Sequence, residues 1–104
     1  MNRETRMKVI IRDMYSCQRC GKQPGLNGLQ VAHRIHDGKE TMAGLKNRYP
    51  DKDKKWIQDN ILDHPLNLVT TCSLKCNSSY NIWFNDEAVE ELLTAIVLSP
   101  NTPS

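Results

Sequence analysis

Apolar positions recur at three- and four-residue spacing near the start of the chain. Met7, Ile10, Ile11 and Met14 fall on one face and Lys8 and Arg12 on another, which predicts a helix over Thr5 to Tyr15. The period then changes. Leu29, Val31, His33 and Ile35 alternate along a predicted strand, and the β-branched run Val69, Thr70, Thr71 ends a second one that starts at Leu66. Helical character returns from Ser73 to Phe84. A last amphipathic helix starts at Asn85 or Asp86 and runs to Leu98, with Asp86, Glu87, Glu90 and Glu91 toward its N-terminal half, where the helix dipole favours them. Between these elements lie a knuckle at Cys17 to Lys22, turning on Gly21, a Pro/Gly-rich loop from Gln23 to Gly28, and a turn at Asp37-Gly38. Residues 39–63, rich in Lys and Asp, read as an insertion or long functional loop with a short helix around Asp53 to Ile61, and residues 99–104 as a flexible tail. The pattern predicts an α+β fold in one domain, 1–104, with no internal repeat.

Composition sharpens this picture. Only 38% of the 104 residues are hydrophobic and 6% aromatic, so the core is thin for a domain of this length and invites a metal or disulfide staple. The net charge of +2 does not by itself demand a nucleic-acid partner, so any electrostatic case rests on where basic residues cluster. The charged start, Met1 to Arg6, leads into no secretory apolar region, and the runs Val9–Ile11 and Ala95–Leu98 are too short to span a bilayer. The expectation is a cytoplasmic protein with no membrane contact, where paired cysteines read as metal ligands before disulfides.

The cysteines form two pairs, Cys17-x-x-Cys20 and Cys72-x-x-x-Cys76. Each pair can aim two thiolates at one ion, and together they would complete a closed, structural tetrahedral zinc site. Unconnected buried thiols and disulfides are the alternatives. A redox role for the first pair lacks the surrounding βαβ pattern that such a motif needs.

Chemistry-bearing residues lie beside these knuckles. His33 closes the first strand in Leu29-Gln30-Val31-Ala32-His33-Arg34-Ile35-His36, Asn67 sits in His64-Pro65-Leu66-Asn67-Leu68-Val69, and Asn77 directly follows Cys76. In this order the chain, from Cys17 to about Asn81, resembles the HNH (His-Me finger) nucleases in their ββα-metal form. The ending Cys76-Asn77-Ser78-Ser79-Tyr80-Asn81 is similar to the Cys-Asn variant of some restriction enzymes and of the endonuclease VII group. Val31-Ala32-His33 followed by His36-Asp37-Gly38 is similar to that group too. The resemblance implies a ββα core with a structural Zn²⁺ and flanking helices, and a metal-dependent DNA endonuclease or nickase of a type common in phage and bacteria. It makes His33 the general base, Asn67 the residue that braces the loop and orients the base, and Asn77 a ligand of a catalytic Mg²⁺ or Mn²⁺. Ala32 departs from the pattern, since many members carry Asp or His there as a second ligand. His36, Asp37 and Asn81 are candidates to supply it.

The chemistry is consistent with those residue types. An unperturbed imidazole titrates near neutrality, and a hard divalent ion accepts an amide oxygen while neutralising phosphate charge. Taken singly, His33 and His36 could be structural, Asn67 a turn residue, Asn77 a helix-start residue and His64 part of a turn before Pro65. Candidate phosphate contacts are Arg19, Lys22, Arg34 and Lys75, with Lys8 and Arg12. Lys46, Arg48, Lys52, Lys54 and Lys55 form a second basic group that reads equally as a solvated face, with Trp56 either stacking or anchoring it. Cutting both strands would favour a homodimer. The competing expectations are a non-catalytic zinc-ribbon module that binds DNA or protein and, within nucleases, a junction resolvase.

Overall fold

The computed structural model describes residues 1–83 and 86–99. Among these are five α-helices and one antiparallel pair of strands. Helix α1 spans Arg3–Arg12, capped by Asn2, whose Oδ1 accepts from Thr5 N at 2.8 Å. It buries Val9 and Ile10, whereas Ile11 and Met14 are 56% and 75% exposed, so the apolar face is narrower than the sequence pattern predicts. The helix also stops earlier than expected. Asp13 turns back to accept from Thr70 N at 2.9 Å, and Met14 and Tyr15 both adopt left-handed φ values, 58° and 55°. Burial raises the Asp13 carboxyl, but hydrogen bonds from Arg12 and Thr70 outweigh it and hold the group below its ordinary range. Arg12 also donates to Pro65 O at 2.8 Å and Leu68 O at 2.7 Å, which ties α1 to the sheet.

Strand β1 (Gln30–His33) pairs with β2 (Leu68–Thr71), with Gln30 opposite Thr71 and His33 opposite Leu68. Both strands are shorter than their apolar runs. Ile35 instead pairs with Ile82, where the sequence predicted a helix continuing to Phe84, and Phe84 and Asn85 lie outside the described residues. Helix α4 accordingly covers only Leu74–Ser78.

Residues 39–63 are more helical than the expected loop with one short helix around Asp53 to Ile61. They fold into α2 (Lys39–Arg48), α3 (Lys54–Ile57) and a wide helical turn at Gln58–Leu62. This segment supplies Leu45, Ile57, Ile61 and Leu62 to the main core. Against them pack Ile35 and the Val89, Leu92, Leu93, Ile96 stripe of α5 (Ala88–Leu98). Exposed Lys and Asp dominate the segment's composition and conceal the few core positions that decide its structure. No helix among the described residues is long and apolar enough to cross a membrane. Of the predicted tail, Ser99 follows α5, and residues 100–104 lie outside the described residues.

Candidate functional site

The knuckle after α1 closes through Cys17 N donating to Lys22 O and Gly21 N to Cys17 O, both at 2.8 Å, with Gly21 at φ +80°. Gln18 N donates to Thr70 O at 2.9 Å, which docks the knuckle against β2. Cys72 directly follows β2, and Cys76 lies in α4, whose start is capped by Ser73. The four Sγ atoms lie within 4.8 Å of one another, with Cys20–Cys72 at 3.4 Å and Cys72–Cys76 at 3.9 Å. Four thiolates about 2.3 Å from one tetrahedral zinc would sit about 3.8 Å apart. The cluster is therefore compatible with a metal such as zinc. Burial pushes the Cys17 thiol up, but the backbone N–H groups of Cys20 and Arg19 prevail and bring it down to about 6. Hydrogen bonding with Cys20, then burial, pushes Cys72 up to about 12.

The strand register sets Asn67, just before β2, beside the end of β1. Arg34 N donates to Asn67 O at 2.7 Å. The fully buried Asn67 side chain accepts from Ile35 N at 2.6 Å and donates to Leu62 O at 2.8 Å and Ile35 O at 3.4 Å. It fixes the chain that follows His33 and makes no hydrogen bond to the imidazole. Asn67→Ala would leave Ile35 N and Leu62 O without these partners. The expected loss is about 2–4 kcal/mol of unfolding free energy, read from a urea denaturation curve, and an unchanged midpoint would contradict the brace. His64, 1% exposed, accepts from Leu66 N through Nδ1 at 3.1 Å and caps the turn that carries Asn67.

His33 lines a groove of about 490 Å³ together with Val31, Asp37, Lys75, Asn77 and Asn81. His33 Nε2 lies 2.7 Å from Asp63 Oδ1 and 3.7 Å from Asp37 Oδ2. Gln58 Nε2 donates to both carboxylates, at 3.1 Å and 3.2 Å, and the Met1 amino nitrogen is 3.0 Å from Asp63 Oδ2. Burial raises the Asp63 carboxyl, but the His33 and Met1 partners outweigh it, so it lies below its ordinary range and is ionised at neutral pH. Asn77 donates its amide to Gln30 Oε1 at 3.4 Å, which leaves Oδ1 as the atom able to face a cation.

Sequence reasoning missed Asp63 and Gln58. Asp63 reaches His33 because the wide turn, closed by Asp63 N donating to Gln58 O at 2.8 Å, rotates it out of ordinary helical register. Such turns concentrate at functional sites, and no periodicity in the sequence marks them. The one available signal was an acidic residue just before the His64-Pro65 turn that carries Asn67. Ala32 is 1% exposed, so its position points into the core and away from the groove. His36 lines the groove but stands outside the His33, Asp37, Asp63 grouping, and its ring packs on Trp83 at 4.7 Å between centroids.

The structure separates the basic residues by role. Arg19, Lys22 and Lys75 surround one depression over Cys20, Cys72 and Cys76, and Lys75 also lines the groove. Arg34 is exposed and lines neither. Arg12 is engaged by backbone carbonyls, and Lys8 pairs with Glu4. In the second basic group, Arg48 pairs with Glu90, Lys55 pairs with Asp59, and Lys52 lies 4.9 Å from the Trp56 ring centre. Of that group, Lys46 also donates to Lys52 O, so four of its five members have a partner among the described residues. No protein-family model matches the chain, and neither a curated protein nor a solved structure matches it.

Proposed function

We propose that the chain is a metal-dependent DNA endonuclease that hydrolyses phosphodiester bonds with His33 as general base. The observation that carries this reading is the His33–Asp63 pair, with His33 lining one groove together with Asn77. With Nε2–H donated to Asp63, His33 Nδ1 holds the lone pair, and it has no hydrogen bond among the described residues. A water seated at Nδ1 gives up its proton to the ring while its oxygen attacks phosphorus and the bond to the leaving 3′ oxygen breaks. Asp63 stabilises the imidazolium that forms and holds the tautomer, as a buried carboxylate does for a catalytic histidine elsewhere. Asp37 and Asn77 are hard oxygen donors suited to Mg²⁺ or Mn²⁺, and Asp37 supplies what Ala32 lacks. Such an ion, when bound, neutralises the charge on the phosphate and on the leaving oxygen.

The resemblance to HNH nucleases supports the same assignment of His33, Asn67 and Asn77. The cysteine cluster supports a structural zinc beside the groove, in the depression that shares Lys75 with it. Lys75, Arg19 and Lys22 serve as backbone phosphate contacts beside it, and Arg34 as an outlying one. Cleavage of both strands would then call for two copies of the chain.

The closeness of His33 Nε2 to two carboxylates favours a second reading, in which His33, Asp37 and Asp63 ligate the divalent ion together. Mn²⁺ titration separates the two, because His33→Ala retains the ion if His33 is the base and loses it if His33 is a ligand. The function itself is tested by incubating supercoiled plasmid with purified, zinc-loaded protein. Open circles should form with Mg²⁺ or Mn²⁺ and not with EDTA. Absence of cleavage on plasmid, single-stranded and branched DNA would favour a non-catalytic zinc-stabilised binding module.

A further inference from the structure

A second cavity, of about 920 Å³, adjoins the groove, and His36 lines both. Its wall carries Trp83, which is 51% exposed although its backbone is firmly placed. Ile82 N donates to Arg34 O at 2.6 Å, His36 N donates to Ile82 O at 3.0 Å, and Trp83 N donates to Asp86 Oδ2 at 3.0 Å. The indole is thus carried on the segment that pairs with the residues after His33, tilted at 47° against the His36 ring and with half its surface open to solvent. An exposed aromatic on an anchored backbone is a stacking platform prepared in advance.

The charge of this cavity differs from that of the depression that shares Lys75 with the groove. Around the cysteines stand Arg19, Lys22 and Lys75, and Lys75 continues into the groove. Around Trp83 stand Lys39 but also the carboxylates of Glu40 and Asp86. Two carboxylates against one ammonium disfavour a phosphate. Carboxylates do accept from the exocyclic amino groups of bases, and the indole stacks on any base.

We propose that the cavity lined by His36, Glu40, Trp83 and Asp86 is a subsite for an unpaired nucleobase of the bound strand. The strand's phosphates would run from the Arg19, Lys22, Lys75 depression through the groove, and the base beyond would leave its stack to lie on Trp83. The proposal rests on the nucleic-acid reading of the groove and does not require that the groove be catalytic.

Binding is measured with zinc-loaded full chain, without Mg²⁺ or Mn²⁺ so that no strand is cut. The probes are a labelled single-stranded oligodeoxynucleotide, the same strand made of abasic residues, and a blunt duplex of equal length. Trp83→Ala should weaken the single strand about tenfold and leave the abasic strand and duplex unchanged. In a Trp56→Phe background, the natural single strand should quench the remaining indole and the abasic strand should not. Equal loss on all three probes, or a single strand that binds without quenching, would overturn the subsite. Metal-dependent plasmid nicking alongside base-independent binding would overturn this subsite and leave the hydrolytic reading standing. Trp83-dependent, base-dependent binding with no nicking would establish the subsite and remove the hydrolytic reading.

Discussion

Removing the zinc proposed for Cys17, Cys20, Cys72 and Cys76 is expected to unfold the chain. The four cysteines join α1, the end of β2 and α4, elements that otherwise meet through a sheet of two four-residue strands. The main apolar core lies among Ile35, α2, α3, the Gln58–Leu62 turn and α5, and contains no cysteine. Structural zinc sites contribute on the order of 10–16 kcal/mol in small peptides, against a typical domain stability of about 5–15 kcal/mol. Loss of the ion should therefore remove most of the stability, and the crowded thiols should protonate and spread apart. Far-UV circular dichroism during titration with a strong chelator, alongside metal analysis, reads this directly. One zinc per chain and a cooperative loss of signal on chelation are expected, and Cys76→Ser should behave like the chelated protein. A metal-free chain with the same melting temperature would show that the cysteines are ordinary core thiols.

The second large effect is expected at Asp63. Asp63→Asn keeps the shape of the side chain but replaces a carboxylate that accepts Nε2–H with an amide that can present its NH₂ to the ring. The imidazole is then free to hold its proton on Nδ1, where the attacking water must deliver one, and the imidazolium loses its counter-charge. Cleavage should fall by about 10²–10⁴-fold, with DNA affinity in the absence of divalent ion unchanged. Single-turnover plasmid nicking gives the rate and anisotropy gives the affinity. A folded Asp63→Asn protein that cleaves at the wild-type rate would show that the 2.7 Å contact to His33 is structural only.

The elements that the sequence made legible are those whose apolar spacing is regular or whose chemistry is local. Val89, Leu92, Leu93 and Ile96 repeat over several turns, and α5 follows from them. The cysteine pairs were readable because a knuckle needs only a few residues. The strands were readable in position but overlong, because alternation continues to Ile35 after β1 has ended and Ile35 pairs with Ile82 instead. Residues 39–63 were not legible as core. Thr41 and Leu45 are the only buried residues of α2, with Met42 partly buried beside them, and five Lys, Glu, Asn and Arg residues outweigh their apolar signal. The same segment delivers Asp63, whose approach to His33 depends on a helical widening at Gln58–Leu62 that no local pattern encodes. The groove brings together His33 and Asn77, which the sequence singled out. It adds Asp37, weighed there as one candidate ligand among several, and places His36 between two cavities.

The most direct test of the account is a time course of supercoiled plasmid nicking by wild-type and His33→Ala protein. Both are purified identically, zinc-loaded and shown to be folded, and both are run with Mg²⁺, Mn²⁺ and EDTA. The account predicts metal-dependent open circles from the wild type and a loss of about 10²–10⁴-fold in His33→Ala. Equal nicking by the two proteins would contradict it, because the groove would then cleave without the imidazole on which the mechanism depends.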